Sequence, residues 1–422
     1  MSELVDKNPS PSSTNVAAST VEAPSYTQKR SFGQLLRGDL GAIPVLLTFI
    51  AIAVYFQLTT GGLFLTPSNL SDLLLEIISI GVDALAVVFV LLLGEIDLSV
   101  AVVSTFCAVI MGVLSERLHI PAAGAIAVGI LAGGLVGAIN GFFIAVLRIP
   151  SFIVTLAASI AYSGLLLTFL SGQATLIISN PFIISIAGGF LPDYLGIGLP
   201  TLMVILYAVA VIWEQVQRRR AGLRAKTLVQ LIIQISIVLV VVEGVIAVLE
   251  NTPSPIPGNY LGVPNAAAIL FALILFFWIV LTKTRFGRHI YAVGGNAEAA
   301  RRAGINVVFI RMAVFILCSA LAAVGGILAA SYADSVASAV SSTLLLDAIA
   351  AAVIGGVSLF GGRGSVWAVV LGTLIIGSLD NGLALRSQGQ DVRQIVEGAV
   401  LLLAVTVDAV IRRIQAASKS GR

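Results

Sequence analysis

The sequence predicts an all-α polytopic membrane protein of about 10–12 transmembrane helices, and three observations predict it. Hydrophobic residues make up 58% of the 422-residue chain. Mean hydropathy is +1.05. Charged residues fall to 11%, where soluble proteins carry roughly 25%. A water-facing domain cannot cover its surface with so few charges. At about 20 residues per crossing, the apolar length supplies roughly ten to twelve spans. The 41 glycines fit the higher glycine content of membrane helices.

Residues 1–38 form a Ser/Thr/Pro/Ala-rich tail ending in Lys29, Arg30 and Arg37. It has no apolar core followed by a cleavage site, so it reads as a retained, disordered cytoplasmic tail rather than a signal peptide. Apolar runs then predict spans at roughly 41–59, 72–93, 98–115, 121–146, 151–170, 198–213, 227–249, 265–282, 307–330, 341–359, 365–385 and 394–411. The transmembrane domain covers 39–411, and 412–422 form a second tail. Only Gly94-Glu95-Ile96-Asp97 separates the second and third runs, so a broken or re-entrant pair, leaving ten spans, is the alternative there. With both termini in the cytoplasm, 21 of the 24 Lys and Arg residues fall on the cytoplasmic side, as the positive-inside rule requires. Trp213, Trp278 and Trp367 each sit within a few residues of a basic segment, at headgroup level.

Several chemistries are excluded at once. His119 and His289 are isolated, so no HExxH or histidine-rich metal site exists. Cys107 and Cys318 lie inside apolar runs and read as small buried residues. No Gly-Lys dipeptide occurs, so the phosphate loop of a nucleotide hydrolase is missing. Gly361-Gly362-Arg363-Gly364-Ser365 is a glycine-rich turn without lysine and reads as no phosphate cradle. Any ATP-driven process must therefore draw on another chain.

Four features carry meaning. The loop at about 283–306 contains start and stop signals for a two-turn helix: Asn296 as N-cap, Glu298 in the first turn, Arg301 and Arg302 in the last, and Gly304 to close it, with Gly295 just before. So short a helix is marginal alone, and its apolar side is only alanine. It reads either as a piece that docks in a partner's groove or as a solvated connection. Glu95 and Asp97 at the end of an apolar run read as a polar break shaping a gate, or as an ordinary turn in which Asp97 caps the next helix. Gly129, Gly133, Gly137 and Gly141 line one helix face for close packing, with Asn140 beside them as interhelical glue or pathway lining. The Asn-Gly pairs at 140–141 and 381–382 hint at an internal repeat. Glu76, Asp83, Glu243, Asp347, Asp380, Glu397 and Asp408 fall inside predicted spans, where acidic residues face the bundle interior or a wet cavity.

These motifs also carry a resemblance. Gly94–Val100 (GEIDLSV) resembles the GGIDLSVG signature of sugar-importing ABC permeases of the ribose/xylose type. Ile149–Leu156 (IPSFIVTL), Thr284–Ile305 and Val353–Ser365 (VIGGVSLFGGRGS) resemble that family's later landmarks, in the same order. Glu95 stands where the family pattern has its second glycine, and residues 218–249 look like an extra span pair relative to ribose permeases. Both traits resemble the xylose-type branch. The resemblance implies a multi-pass permease of the bacterial inner membrane that pairs with a second copy as a homodimer. It implies docking of cytoplasmic ABC ATPase subunits through a coupling helix, matched here by Asn296–Gly304, and receipt of sugar from an extracytoplasmic binding protein. ATP and Mg would bind the ATPase, leaving this chain without cofactor, catalytic residue, metal or nucleic-acid partner. A neutral sugar calls for hydrogen bonds, so Glu95, Asp97, Asn140, Asp347, Asp380 and Asn381 become pathway or gate candidates. A proton-coupled secondary transporter using Asp83, Asp347 or Asp380 is the competing reading, and a scaffold or receptor the third.

Overall fold

The computed structural model describes residues 42–222, 226–254, 260–341 and 343–420. The N-terminal tail assigned from the sequence lies outside them. The helices are α1 (Ala42–Thr59), α2 (Pro67–Leu93), α3 (Val100–Gly112), α4 (Ala122–Gly141), α5 (Ser151–Phe169), α6 (Pro181–Gly188), α7 (Asp193–Arg220), α8 (Leu228–Leu249) and α9 (Asn265–Lys283). They continue as α10 (Arg285–Gly295), α11 (Ala297–Arg302), α12 (Val307–Ala333), α13 (Leu344–Ile354), α14 (Ala368–Leu385) and α15 (Gln390–Ser420). Single π-helical turns, Val113–Arg117 and Phe142–Val146, lengthen α3 and α4. Among the described residues, nine helices are long and apolar enough to cross a membrane.

The helix at the centre is α2. Of its apolar stretch 78% is buried, against 11% for α8, so α2 sits inside the bundle and α8 faces lipid. Thr66 caps the start of α2, Pro67 occupies its first turn and Gly94 ends it in the left-handed conformation at φ 76°. Opposite it, α12 packs along α2, α3 and α4. The glycine row of α4 makes that approach possible. A Cβ at Gly133 would lie 2.6 Å from Ser319 O, and one at Gly141 3.2 Å from Met312 Cα, while at Gly137 it would overlap Phe315 O. Gly129 sits lower, 3.1 Å by the same measure from Cys107 O on α3. Backbone meets backbone here because no side chain intervenes.

The second and third runs are full spans, as the sequence segmentation has them, and the re-entrant alternative falls, because α2 and the lengthened α3 reach 27 and 18 residues. Two features go beyond the sequence expectation. The tenth run, 341–359, yields only the 11-residue α13, about 16 Å long, half the hydrocarbon thickness of about 30 Å. It stops at Gly355-Gly356, where Gly356 adopts φ 102° and Gly355 is pressed against the Ala368 backbone. The segment between the fifth and sixth runs is also ordered: α6 is capped by Asn180, and Thr175–Ile177 (β1) pairs antiparallel with Ser335–Ala337 (β2).

The α7–α8 pair is a peripheral hairpin. Its entry and exit are tied at the base by Leu191 N to Val263 O at 2.9 Å and Asn265 N to Gly189 O at 2.9 Å. Between its helices Thr201 Oγ1 donates to Glu243 at 2.9 Å and Gln234 Nε2 to Tyr207 OH at 2.6 Å. Glu243 thus finds its partner inside the hairpin rather than in a central cavity.

Candidate functional site

The basic loop after α9 folds into two helices in series, not one. Thr284 turns the chain sharply, its hydroxyl accepting from Gly287 N at 3.2 Å and donating to Val280 O at 2.6 Å. The amphipathic α10 then buries Gly287, Ile290 and Val293. The six-residue α11 follows with the caps its sequence carries. Asn296 Oδ1 accepts from Ala299 N at 2.9 Å. Gly304, at φ 85°, donates to Arg301 O and Ile305 N to Ala300 O, both at 3.0 Å, a Schellman ending. Arg301 and Arg302 share the Glu298 carboxylate at 3.2 Å each. Only Ala300 is buried, and Gly295, Asn296, Glu298, Arg301, Arg302 and Gly304 all face outward. Exposed pairs of this kind contribute a few tenths of a kcal/mol each, so α11 is held by caps and by α10 rather than by charge. Beside it Phe286, His289, Ile305, Phe309 and Ile310 line a shallow cleft of about 310 Å³.

The end of α10 is seated by glycines. A Cβ at Gly294 would overlap the Leu92 carbonyl oxygen and lie 2.9 Å from Gly362 N. Gly362 N donates to that same Leu92 oxygen at 2.8 Å. Gly361, at φ 82°, packs against Gly294 O and Gly94 N, at 2.7 and 2.8 Å from its would-be Cβ. Tyr291 OH donates to Gly364 O at 2.8 Å, and burial pushes its phenol pKa up, so it stays a donor. Three backbones therefore meet without side chains: the end of α2, the end of α10, and the 361–364 turn. From the residues alone that turn read as no phosphate cradle, and although it and Gly294 both lie within landmark segments, neither was singled out as a contact point.

Beyond Gly94 the chain is irregular for five residues, and neighbouring side chains satisfy it. Ile96 N donates to Ser151 Oγ at 3.3 Å and Leu98 N to Thr155 Oγ1 at 3.0 Å, both from α5. Asp97 Oδ1 accepts from Ser99 N at 2.8 Å and Ser99 Oγ at 2.6 Å, and Cys318 Sγ on α12 lies 3.9 Å from Oδ2. Asn140 Nδ2 donates to Ser99 Oγ at 3.2 Å, and Tyr162 OH to Asn140 Oδ1 at 3.1 Å. Every one of these side chains is buried, where an unmade hydrogen bond costs about 1–3 kcal/mol. Asp97 braces the turn before α3 rather than capping the helix itself. Glu95 points the other way, to Arg311 Nη2 on α12 at 3.2 Å. Ser99, Ser151, Thr155, Tyr162 and Arg311 were missed by sequence reasoning. Serines and threonines at helix starts give no signal until their partner segment is known.

The remaining candidates lie elsewhere. Asn381 Oδ1 accepts from Asn69 Nδ2 at 2.9 Å and its Nδ2 donates to Glu76 at 3.1 Å, linking α14 to the start of α2. Asp380 pairs with Arg393 at 3.2 Å, while Asp347 on α13 and Glu397 on α15 are buried nearby. Asp97 and Asn140 thus share one cluster through Ser99, Glu95 turns away from it to Arg311, and Asp347, Asp380 and Asn381 lie together elsewhere. Along α2, Glu76 and Gly94 are separated by about 27 Å at 1.5 Å per residue. Asp83, between them, is fully buried with Gly325 of α12 packed on its carboxyl. The Asp408 side chain lies outside the described residues. Both cysteines are free and buried, and no group of three potential metal ligands occurs among the described residues.

Two polar clusters thus lie at opposite ends of one central helix, and the outward-facing α11 follows the helix seated at one of those ends. The chain belongs to the permease family described as "Branched-chain amino acid transport system / permease component", whose model matches residues 69–405. It is 35% identical over 383 residues to the xylose transport system permease protein of Escherichia coli K12, covering 90% of this chain and 95% of the relative. It is 33% identical over 375 residues to the L-arabinose ABC transporter permease protein of Azospirillum brasilense, covering 89% of each. To the ribose import permease protein of Escherichia coli K12 it is 34% identical, but over 260 residues, 58% of this chain and 80% of the relative. No solved structure matches the chain.

Proposed function

We propose that this chain is the membrane-spanning subunit of an ATP-driven sugar importer of the bacterial inner membrane, with xylose or a related monosaccharide as cargo. A separate ATPase binds and hydrolyses ATP with Mg, two copies of the permease enclose the path, and an extracytoplasmic binding protein delivers the sugar. The observation that carries this reading is the three-backbone junction: α10, which α11 directly follows, is seated on the end of α2 and on the 361–364 turn that packs against Gly94. A push on α11 therefore reaches the cytoplasmic-side constriction of Glu95, Asp97 and Asn140 through rigid backbone. The constriction about 27 Å away, around Asn381, closes the other end, so the two alternate. Xylose or a related sugar is favoured over ribose because the xylose and arabinose relatives align over 90% and 89% of this chain and the ribose relative over 58%. The proton-coupled alternative loses ground because the relatives aligned over most of their length include an L-arabinose ABC transporter permease and a ribose import permease, and because Asp380 is paired with Arg393.

The test is reconstitution of the chain in liposomes with a cognate ATPase and sugar-binding protein. Uptake of labelled xylose that requires both partners and ATP supports the reading. Accumulation by the chain alone, abolished by an uncoupler, refutes it.

A further inference from the structure

The corner between α9 and α10 carries a charge patch that the transport reading does not use. Lys283, Arg285 and Arg288 fall within six residues, all exposed, and none makes an ion pair among the described residues. The nearby carboxylates are already committed, Glu298 to Arg301 and Arg302 and Glu95 to Arg311. Because α10 buries Ile290 and Val293, Arg285 and Arg288 lie on its outer face.

The patch is continuous with lipid-facing surface. Phe276 and Ile279 are 58% and 44% exposed on α9, and Lys283 continues the same stripe one turn on. That places its ammonium at headgroup depth. An aromatic shelf lies alongside. Trp278 and Trp367 are 6.4 Å apart between ring centroids, Phe271 lies 5.9 Å from Trp367, and Lys283 Nζ is 5.9 Å from the Trp278 ring. Indoles at a bilayer boundary beside three uncompensated cations fit one chemistry.

We propose that Lys283, Arg285 and Arg288, with the Trp278–Trp367 shelf, form a binding site for the headgroup of an anionic phospholipid in the leaflet on the basic side. The cations meet the phosphate and the indoles hold the glycerol-backbone level. The inference stands apart from the transport reading, since it concerns lipid occupancy alone.

The three tryptophans of the chain allow a site-resolved test. Trp213 lies on α7, away from this corner, so a Trp213→Phe variant reports only from Trp278 and Trp367. That variant is reconstituted in vesicles containing brominated phosphatidylglycerol or brominated phosphatidylcholine, and quenching is compared. Each cation near an anionic surface contributes on the order of fivefold in affinity. The expected result is a preference for phosphatidylglycerol of at least about fivefold, shrinking as salt rises and lost in the Lys283→Gln/Arg285→Gln/Arg288→Gln variant. Equal quenching by both lipids, or a preference that survives the triple substitution, overturns the proposal. So does a triple variant that keeps the lipid preference but no longer binds the ATPase subunit, which would make the patch a protein contact.

Discussion

Gly294 and Gly295 are adjacent, identical and both helical, yet the structure assigns them opposite fates. A Cβ on Gly295 meets nothing within 4 Å, whereas one on Gly294 would overlap the Leu92 carbonyl oxygen and sit 2.9 Å from Gly362 N. Restoring a carbon–oxygen separation of about 3.3 Å requires the ends of α2 and α10 to part by more than roughly 1 Å. Both obstacles are backbone, so neither can yield by changing rotamer, and overpacking of this kind costs about 1–3 kcal/mol. Alanine's higher helix propensity works the other way, by about 1 kcal/mol at either position. Gly295→Ala is therefore neutral or slightly stabilising. Gly294→Ala weakens the junction, and a strain of 1–3 kcal/mol falling on a two-state coupling corresponds to roughly 5- to 150-fold. The assay is the ratio of ATPase activity with and without sugar-loaded binding protein in the reconstituted complex, alongside the melting temperature of the purified permease. Gly294→Ala should collapse that ratio toward one while Gly295→Ala preserves it. Indistinguishable behaviour of the two variants would refute the junction as the route of coupling.

Other perturbations probe the same frame. Glu298→Ala with Arg301→Ala should lower stimulated ATPase activity while insertion and melting stay near wild type, and normal sugar uptake by that variant would remove α11 from the coupling path. Asn296→Ala deletes the cap on Ala299 N and should destabilise α11 by about 0.5–2 kcal/mol, seen as faster amide exchange confined to 296–305. Exchanging charges as Glu95→Arg with Arg311→Glu should recover uptake that either single reversal loses, provided the 3.2 Å pair acts as a pair. Gly137→Leu should block the approach of α12 to α4, giving a permease that fails to fold in detergent.

Much of the fold was legible because lipid imposes a single rule, apolar runs of about 20 residues, and the second through fifth spans follow it within a few residues. The tenth run shows the limit of that rule. Residues 341–359 are apolar enough to cross, but the constraint that stops α13 at Gly355-Gly356 is contact with the Ala368 backbone, which hydropathy does not register. The α11 helix was readable from its own caps, since Asn296, Glu298, Arg301, Arg302 and Gly304 interact within nine residues. By contrast α10 was overlooked because its apolar positions Ile290 and Val293 make sense only against α2. The Gly294 contact links it to Leu92, about 200 residues away. Local chemistry is written locally, and a junction of glycines from three distant segments is not.

The four sequence landmarks that resembled a permease family are not independent motifs in space. Gly94 of the first packs on Gly361 of the fourth, and Gly294 of the third packs on both the end of α2 and Gly362. Ser151 and Thr155 of the second hold the backbone N–H groups of Ile96 and Leu98. One physical requirement explains all four. An irregular backbone at the edge of the membrane must have each polar group satisfied by protein, and a helix that holds it rigidly must meet it without flexible side chains between. Hydroxyls at the start of α5 meet the first demand, and glycines at Gly94, Gly294, Gly361 and Gly362 meet the second. Loosening a glycine should therefore uncouple the motor while leaving the bundle folded. Removing Thr155 should instead strand a buried N–H and destabilise the bundle itself by about 1–3 kcal/mol. A Thr155→Val variant of normal stability but impaired coupling would invert those roles and break the argument.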